Sequence, residues 1–418
     1  MTPKMLSIGI DWAEYRHAVA IYVGPDQLLD VFEIEDTITG YHQLLDAAHT
    51  LQQRFHADRV AFLIECRNHR LVDFLLAQGF VGFYLDPNRT AGYRLRYKVS
   101  GAKSDPDDAR MFGDILARDQ DRLPPIVPAA AIDQKLQALL MDRDKFIQER
   151  TRLTHRLTDA LHEYYPEARQ LFGDVVSPTA LAFLAAYPTR DQARQLPESE
   201  VRQFLKQQHS YQERRVKRIM KVLSQPAIPV PAPVVETRQL LVEQLIPMLQ
   251  AAQNAIAAYD ERIATRSKGN ADVELFRSLP GAGVILAATL KVLFGEDRTR
   301  FSSAQEVQSY IGTSPRTVMS GQYRSVQFRF GCNHFFRGQM DTLAWCATRR
   351  SDWARNYYQR KRREGKSHHT ALRIVGNSQV GIAFAMWKSG KKYDEAYHLA
   401  SIQRYQMRNE PKLMRALT

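Results

Sequence analysis

LSIGIDWAEYRHAVAIYV, residues 6–23, decides the fold of the N-terminal part. Leu6, Ile8 and Ile10 alternate with Ser7, Gly9 and Asp11, the period of two that marks a half-buried strand. A short polar break follows, and residues 17–23 read as a second strand returning as a hairpin. Residues 27–34 supply a third. Residues 40–54 have helical spacing, with Tyr41, Leu44, Leu45, Ala48 and Leu51 on one face. Residues 59–65, RVAFLIE, are almost continuously apolar, as in a central strand covered on both faces. A helix over 71–78 is closed by Gly79. A last strand, 80–85, is stopped by Asp86, Pro87 and Asn88.

Strand hairpin, then helix, strand, helix, strand is the order of an RNase H/RuvC-like α/β fold, expected over residues 1–124. Pro124, Pro125 and Pro128 mark its end. Residues 132–164 form one long helical pattern, in which Leu136, Leu139, Phe146, Leu153, Leu157 and Tyr164 keep a 3/4 repeat interrupted by Arg143 and Arg150. A second helical stretch runs over 199–223. PAIPVPAP (226–233) reads as an extended elbow, and a third amphipathic helix covers 237–265. Residues 125–270 therefore read as a helical, coiled-coil-like arm, with dimerisation favoured over a plain bundle. Residues 271–400 read as a compact, mainly α domain with one hairpin turning at Ser320-Gly321, followed by a tail over 401–418.

Composition narrows the class. The 418 residues are 44% hydrophobic and 25% charged, which excludes global disorder and collagen-like repeats. No apolar run reaches the roughly 18 residues of a membrane-spanning helix, and no export signal is read at the N-terminus. The three cysteines cannot form a disulfide framework, and a reducing cytosol is the expectation. Lys and Arg outnumber Asp and Glu by 58 to 45, a net charge of +13 that favours a polyanionic partner. Between Arg349 and Arg373 stand nine basic residues, among them Arg360, Lys361, Arg362, Arg363 and Lys366, against Asp352 and Glu364. A phosphate-binding strip and a solvated helix face explain this run equally well.

Four acids stand out. Asp11 ends the first strand and Glu65 the central one. Asp105 and Asp108 lie in KSDPDDA, where N-capping by Asp105, with Pro106 at the first helical position, is the simplest account. Jointly they say more. The first and fourth strands of an RNase H-like sheet are neighbours, and Asp105 and Asp108, three apart on a helix, face the same way. Four carboxylates at one point call for Mg²⁺ or Mn²⁺, and two such ions suit phosphoryl transfer. Asp107 faces elsewhere, and Lys103 is placed to meet phosphate. In LPGAG (279–283), Gly281 and Gly283 would let backbone N–H groups approach a DNA phosphate in a helix-hairpin-helix, although a turn between packed helices is the commoner meaning. Ser320, among Arg316, Arg324 and Arg329, is on its own an ordinary turn residue.

The ordered set GIDWAEYRHAVAIYV, Glu65, LDPNR, KSDPDDA, then LPGAGVILAATLKVLFGEDRTRFSSAQEVQSYIGTSPRTVMSGQYRS and KRREGKSHHTALRIVGNSQVGIAFAMWKSGKKYD resembles the DEDD transposases now called bridge recombinases, the IS-one-hundred-and-ten family. Ser104 replaces a threonine usual in that family's acidic tract. The resemblance implies that Asp11, Glu65, Asp105 and Asp108 bind Mg²⁺. It implies that Ser320 attacks a DNA phosphodiester, giving a 5′-phosphoserine link and a free 3′-hydroxyl. It also implies a noncoding bridge RNA that pairs with donor and target DNA, serine and acid sites combined across protomers, a dimer assembling to a tetramer, and a bacterial, cytoplasmic, nucleoid-associated enzyme. Two other readings compete: a RuvC-like metal-dependent nuclease or junction resolvase that hydrolyses with water, and a non-catalytic nucleic-acid-binding scaffold.

Overall fold

A computed structural model describes residues 4–66, 69–97, 104–123, 125–126, 131–226, 229–321 and 323–404. The chain divides into two compact units, residues 1–130 and 131–418.

The first unit is a five-stranded mixed sheet with helices on its faces, the arrangement of an RNase H-like domain. Strands β1 (Met5–Asp11), β2 (Arg16–Val23) and β3 (Gln27–Glu35) form an antiparallel meander. Helix α1 (Ile38–Phe55) leads to β4 (Arg59–Ile64), and helix α2 (Arg70–Ala77) leads to β5 (Val81–Tyr84). Both β4 and β5 run parallel to β1, so the order across the sheet is β3-β2-β1-β4-β5. Leu6, Ile8 and Ile10 are fully buried on one face against β4 and α1. At about 25 cal/mol per Å², each such side chain contributes roughly 2 kcal/mol on burial.

The other face is covered by α4 (Asp105–Asp119), which follows α3 (Pro87–Tyr97). Two glycines set how closely α4 lies. A Cβ on Gly9 of β1 would meet the Ala109 carbonyl oxygen at 2.0 Å, and one on Gly113 would meet the Tyr22 ring at 2.6 Å. Bare backbone on both sides lets the helix press onto β1 and β2. The helix starts one residue earlier than its sequence suggests: Ser104 is the N-cap, Asp105 the first helical residue and Pro106 the second.

Among the described residues, the regular structure of the second unit is helical apart from a two-stranded ribbon. Its long helix α5 (Ala131–Tyr164) lies antiparallel to a 36-residue helix, Ala232–Ser267. Arg143 pairs with Asp260, Phe146 packs on Tyr259, and Arg238 donates to Glu163. Leu153, Leu157 and Leu161 bury against Val242, Leu245 and Leu249, and Leu136 and Leu140 against Ile263. The repeat that suggested a dimerisation arm is thus covered within the chain. Arg143, a break in that repeat, is the site of an intrachain ion pair. The elbow is also shorter than read. Pro231 caps the second long helix and Pro233 sits in its first turn, where a missing N–H costs no hydrogen bond; residues 227–228 lie outside those described. The stretch 199–223 is two helices, Glu198–Gln207 and Glu213–Leu223, parted where His209 takes φ +47°. The rest packs around Phe276, Phe294 and Trp387. The tail from residue 405 onward lies outside the described residues.

Candidate active site

The register of β1 on β4 pairs Ile10 with Ile64. Asp11, the last residue of β1, and Glu65, the residue after β4, therefore leave the sheet side by side. Asp11 is buried and Glu65 half-buried. One turn into α4, Asp108 is buried as well, because the helix is held against β1 by Gly9. Asp108 has a counter-ion. Arg94, from α3, donates to both Asp108 oxygens, Nε to Oδ1 at 3.0 Å and Nη2 to Oδ2 at 2.7 Å. The Asp108 bond, with Glu65 and Asp11 close enough to add to it, pushes the guanidinium pKa above its ordinary value. Of the four sequence-predicted acids, Asp108 is bonded to Arg94, and Glu65 and Asp11 add a weaker pull on the same guanidinium. Asp105 stands at the exposed start of α4, and Asp107 turns to Arg110 at 3.2 Å. Lys103 lies outside the described residues. Arg94 escaped the sequence reading: its signal is the run RLRYK (94–98), but sequence alone does not say which arginine faces the acids.

A second polar cluster lies beneath the same sheet end. His17 Nε2 is 3.2 Å from Asp36 Oδ1 and His69 Nε2 is 3.7 Å from Asp36 Oδ2. Arg70 and the Tyr41 hydroxyl also donate to Asp36. The ligand atoms of His17, Asp36 and His69 lie within 4.8 Å of one another, so this set could hold a metal ion. The hydrogen bonds argue for a different use. Each histidine Nδ1 accepts a backbone N–H, from Ala13 at 3.4 Å and from Leu71 at 3.2 Å. A neutral imidazole ligating through Nε2 must carry its proton on Nδ1, where those donors already point. The arrangement instead places both protons on Nε2, toward Asp36. Arg70 foremost holds the Asp36 carboxyl well below the usual carboxylate range, while burial foremost pushes Tyr41 up to about 12 and His69 down. The network ties the end of β3 to α1 and α2, and it floors an open cleft of about 810 Å³ lined by Trp12, Tyr15 and Arg70.

In the second unit, Ser320 is the exposed last residue of strand β6 (Arg316–Ser320), which turns through Gly321 (φ +56°) into β7 (Tyr323–Gln327). Arg316 and Arg324 are exposed on this ribbon. Arg329 is turned back, donating to the carbonyls of Ser314 and Pro315. The LPGAG turn is the packed kind at Gly281, whose Cβ would meet Ala347 N at 2.6 Å and which has φ +87°. The Ala282 and Gly283 N–H groups are spent inside the turn, on Leu279 and Gly281. Gly283 is exposed and opens the helix Val284–Phe294. The basic strip lies on the helix Asp352–Arg363 and the turn after it. Arg360 and Lys361 pair with Glu364 and lie over Tyr357, while Arg362 donates to the Lys366 carbonyl at 2.7 Å; Arg363 and Lys366 are exposed. His368 is half-buried, bonded to the Tyr358 hydroxyl and edge-on to Trp345.

A transposase domain model of the DEDD type matches residues 8–166, a span that holds all four acids. That defines the class: a chain with the RNase H-like domain of DEDD transposases. A second model, the transposase IS116/IS110/IS902 family, matches residues 273–359, which hold Ser320. The chain carries IS110-family transposase domains over both spans. It is similar along nearly its whole length to a Streptomyces coelicolor protein ascribed to the IS117 mini-circle as its transposase, 29% identical over 93% of this chain and 95% of that one. It is 26% identical to the 44.8 kDa protein of insertion element IS116 from Streptomyces clavuligerus, over 93% and 96%. It is 21% identical to a transposase for IS1111A from Coxiella burnetii, over 58% and 54%. The DEDD family suggests divalent-metal use. Among the described residues, no helix is long and apolar enough to cross a membrane.

Proposed function

We propose that the protein is the transposase of an insertion sequence and acts as a metal-dependent, RNA-guided serine recombinase on DNA. One observation carries the reading: Asp11 and Glu65 leave neighbouring strands side by side, and Asp108, buried on α4, holds the Arg94 guanidinium, which also feels their charge. Oxygen-only donors on rigid elements fit a hard divalent ion, and the spot that Arg94 holds is one the protein already stabilises for positive charge. Asp11, Glu65 and Asp108, joined by Asp105 from the same helix, would hold Mg²⁺ or Mn²⁺. When bound, the metal supplies charge neutralisation and Lewis-acid polarisation at a phosphoryl group.

The remaining chemistry belongs to the chain. Ser320 Oγ attacks phosphorus, a P–Oγ bond forms, and the bond to the 3′-oxygen breaks. The serine gives up one proton and the departing 3′-oxygen gains one, leaving a 5′-phosphoserine and a 3′-hydroxyl. Arg316 and Arg324 stabilise the developing charge. The covalent link conserves the phosphodiester energy, so strands rejoin without a nucleotide cofactor. The net +13 and the strip Arg360, Lys361, Arg362, Arg363 and Lys366 support binding of donor and target DNA and of a noncoding bridge RNA, whose pairing selects the sequence while the protein contacts backbone. A homo-oligomer in the bacterial cytoplasm, dimer assembling to tetramer, is part of this reading. So is the division into domains over 1–124, 125–270 and 271–400.

A covalent trap tests it. The full chain is mixed with Mg²⁺, RNA transcribed from the flank of its gene and labelled duplex carrying the joined element ends, then run on a denaturing gel. A protein–DNA band is expected. It should fall at least ~100-fold in Ser320→Ala and Asp11→Ala and persist in Asp107→Ala. Free cleavage products that survive Ser320→Ala would mean a hydrolytic nuclease. RNA binding without cleavage would mean a scaffold.

A further inference from the structure

The ribbon that carries Ser320 is built in an unusual way for a soluble surface. It is a two-stranded sheet of its own, paired from Arg316–Gln327 to Ser320–Tyr323, and such a ribbon is marginal in water without something to pack on. Alternation along the strands puts Arg316, Val318, Ser320 and Tyr323 on one face and Met319, Arg324 and Val326 on the other. Among the described residues neither face is fully covered. Met319 is 68%, Tyr323 63% and Val326 62% exposed, and Phe330 just beyond the ribbon is 75% exposed. Single exposed apolar residues need no account, but four on one projection mark a contact surface. The base of the ribbon is fixed, with Phe328 held between the guanidinium groups of Arg337 and Arg373 at 4.7 and 4.4 Å from its ring centre.

Charge complementarity selects the occupant. Residues 316–330 contain Arg316, Arg324 and Arg329 and no acid, so apolar tips stand among cations, the combination that enters a nucleic-acid groove with a side chain wedged between bases. A two-stranded ribbon is also of a size a DNA groove admits. Tyr323 lies directly opposite Ser320, at the ~5 Å spacing of cross-strand neighbours. We propose that the ribbon enters duplex DNA and that the Tyr323 ring inserts at the base step beside the phosphate facing Ser320. Met319 and Val326 line the groove from the other face. This rests on Ser320 being the residue presented to the scissile phosphate. Tyr323 is a positioning residue: by unstacking one step it bends the backbone toward the serine.

The test uses the full chain with its flanking RNA, Mg²⁺ and the joined-end duplex. 2-Aminopurine is placed on either side of the step that wild type cleaves, and Ser320→Ala is used for equilibrium readings. A several-fold rise in 2-aminopurine emission is expected on one side only. Adding Tyr323→Ala should abolish the rise and weaken binding about tenfold, while Tyr323→Trp should keep both. Unchanged melting of Tyr323→Ala serves as the folding control. If wild type forms the covalent adduct but emission stays flat, or Tyr323→Ala leaves it intact, the wedge is overturned and the serine reading stands. If wild type neither binds nor cleaves, both fall. If Tyr323→Ala and Val326→Ser dissolve a homo-oligomer without changing emission, the ribbon is a contact between chains and the wedge is overturned.

Discussion

Asp11 and Asp108 are buried carboxylates held by a strand and a helix, and a resident arginine already pairs with Asp108. Ser320 stands on a ribbon whose two faces are open to solvent. If the acids hold metal and Ser320 is the nucleophile, as proposed, the difference follows from what each group must do. Metal ligands must be fixed before the ion arrives, since reorganising like charges is costly. A nucleophile delivered to a polymer must project from the surface, and its environment is completed by the substrate. On that reading the first region draws its geometry from packing, and the second would draw it from a partner.

Substitutions that disturb packing should separate the two most sharply. Gly9→Val places atoms where the Ala109 carbonyl lies, 2.0 Å from an added Cβ, so α4 must move off β1. A loss of about 3 kcal/mol or more is expected, read as a lower urea midpoint. Tyr323→Ala should stay within about 0.5 kcal/mol of wild type. Equal stability of both variants would break the contrast.

Next in size is Asp36, the acceptor shared by Arg70, Tyr41 and His17. Asp36→Asn leaves buried donors without a charged partner and should cost about 2 kcal/mol. The acid limb of stability reports the same group. Its carboxyl is held below the ordinary range in the fold, so the unfolded chain takes up the proton first as pH falls. Stability should hold from neutral to about pH 4 and decline below it as pH drops toward the folded value. Asp36→Asn should flatten that limb.

The sheet was legible because strands β1 to β5 carry the alternation and apolar runs that burial on a sheet demands; even the adjacency of Asp11 and Glu65 follows from strand order. The helical part was legible as helix but not as partner choice. A 3/4 repeat on α5 says that one face is covered, and it is silent on whether a second copy or the helix Ala232–Ser267 covers it. Where the helices stop was misread at His209 and Pro233 because a positive φ at a non-glycine residue, and a proline tolerated in a first turn, are decided by tertiary context. Arg94 was missed for a similar reason: its meaning lies in Asp108, a contact set by the approach of α3 and α4.

Arg94 sharpens the comparison from the acid side. If the guanidinium stands where an ion would be held, removing it should free Asp108 and raise Mn²⁺ affinity about tenfold, roughly 1.4 kcal/mol. Calorimetric titration of Arg94→Gln measures this directly. Weaker Mn²⁺ binding would mean that Arg94 orients Asp108 and does not compete for it.

The smallest expected effects lie on the basic strip, and they discriminate within it. Lys361 is paired with Glu364 at 2.7 Å and lies over Tyr357, whereas Arg363 is exposed on the same helix. A cation already neutralised by its neighbour releases fewer counter-ions when it meets phosphate. Each free Lys or Arg that contacts duplex phosphate contributes about 0.9 to the slope of log affinity against log salt. Arg363→Gln should therefore lower the slope by nearly that amount, and Lys361→Gln by less, with melting temperature unchanged in both. Anisotropy titrations of a non-specific duplex across a salt series measure the two slopes. Equal slopes for both variants and wild type would make the strip a solvated helix face and leave the ribbon's arginines as the phosphate contacts of the second unit.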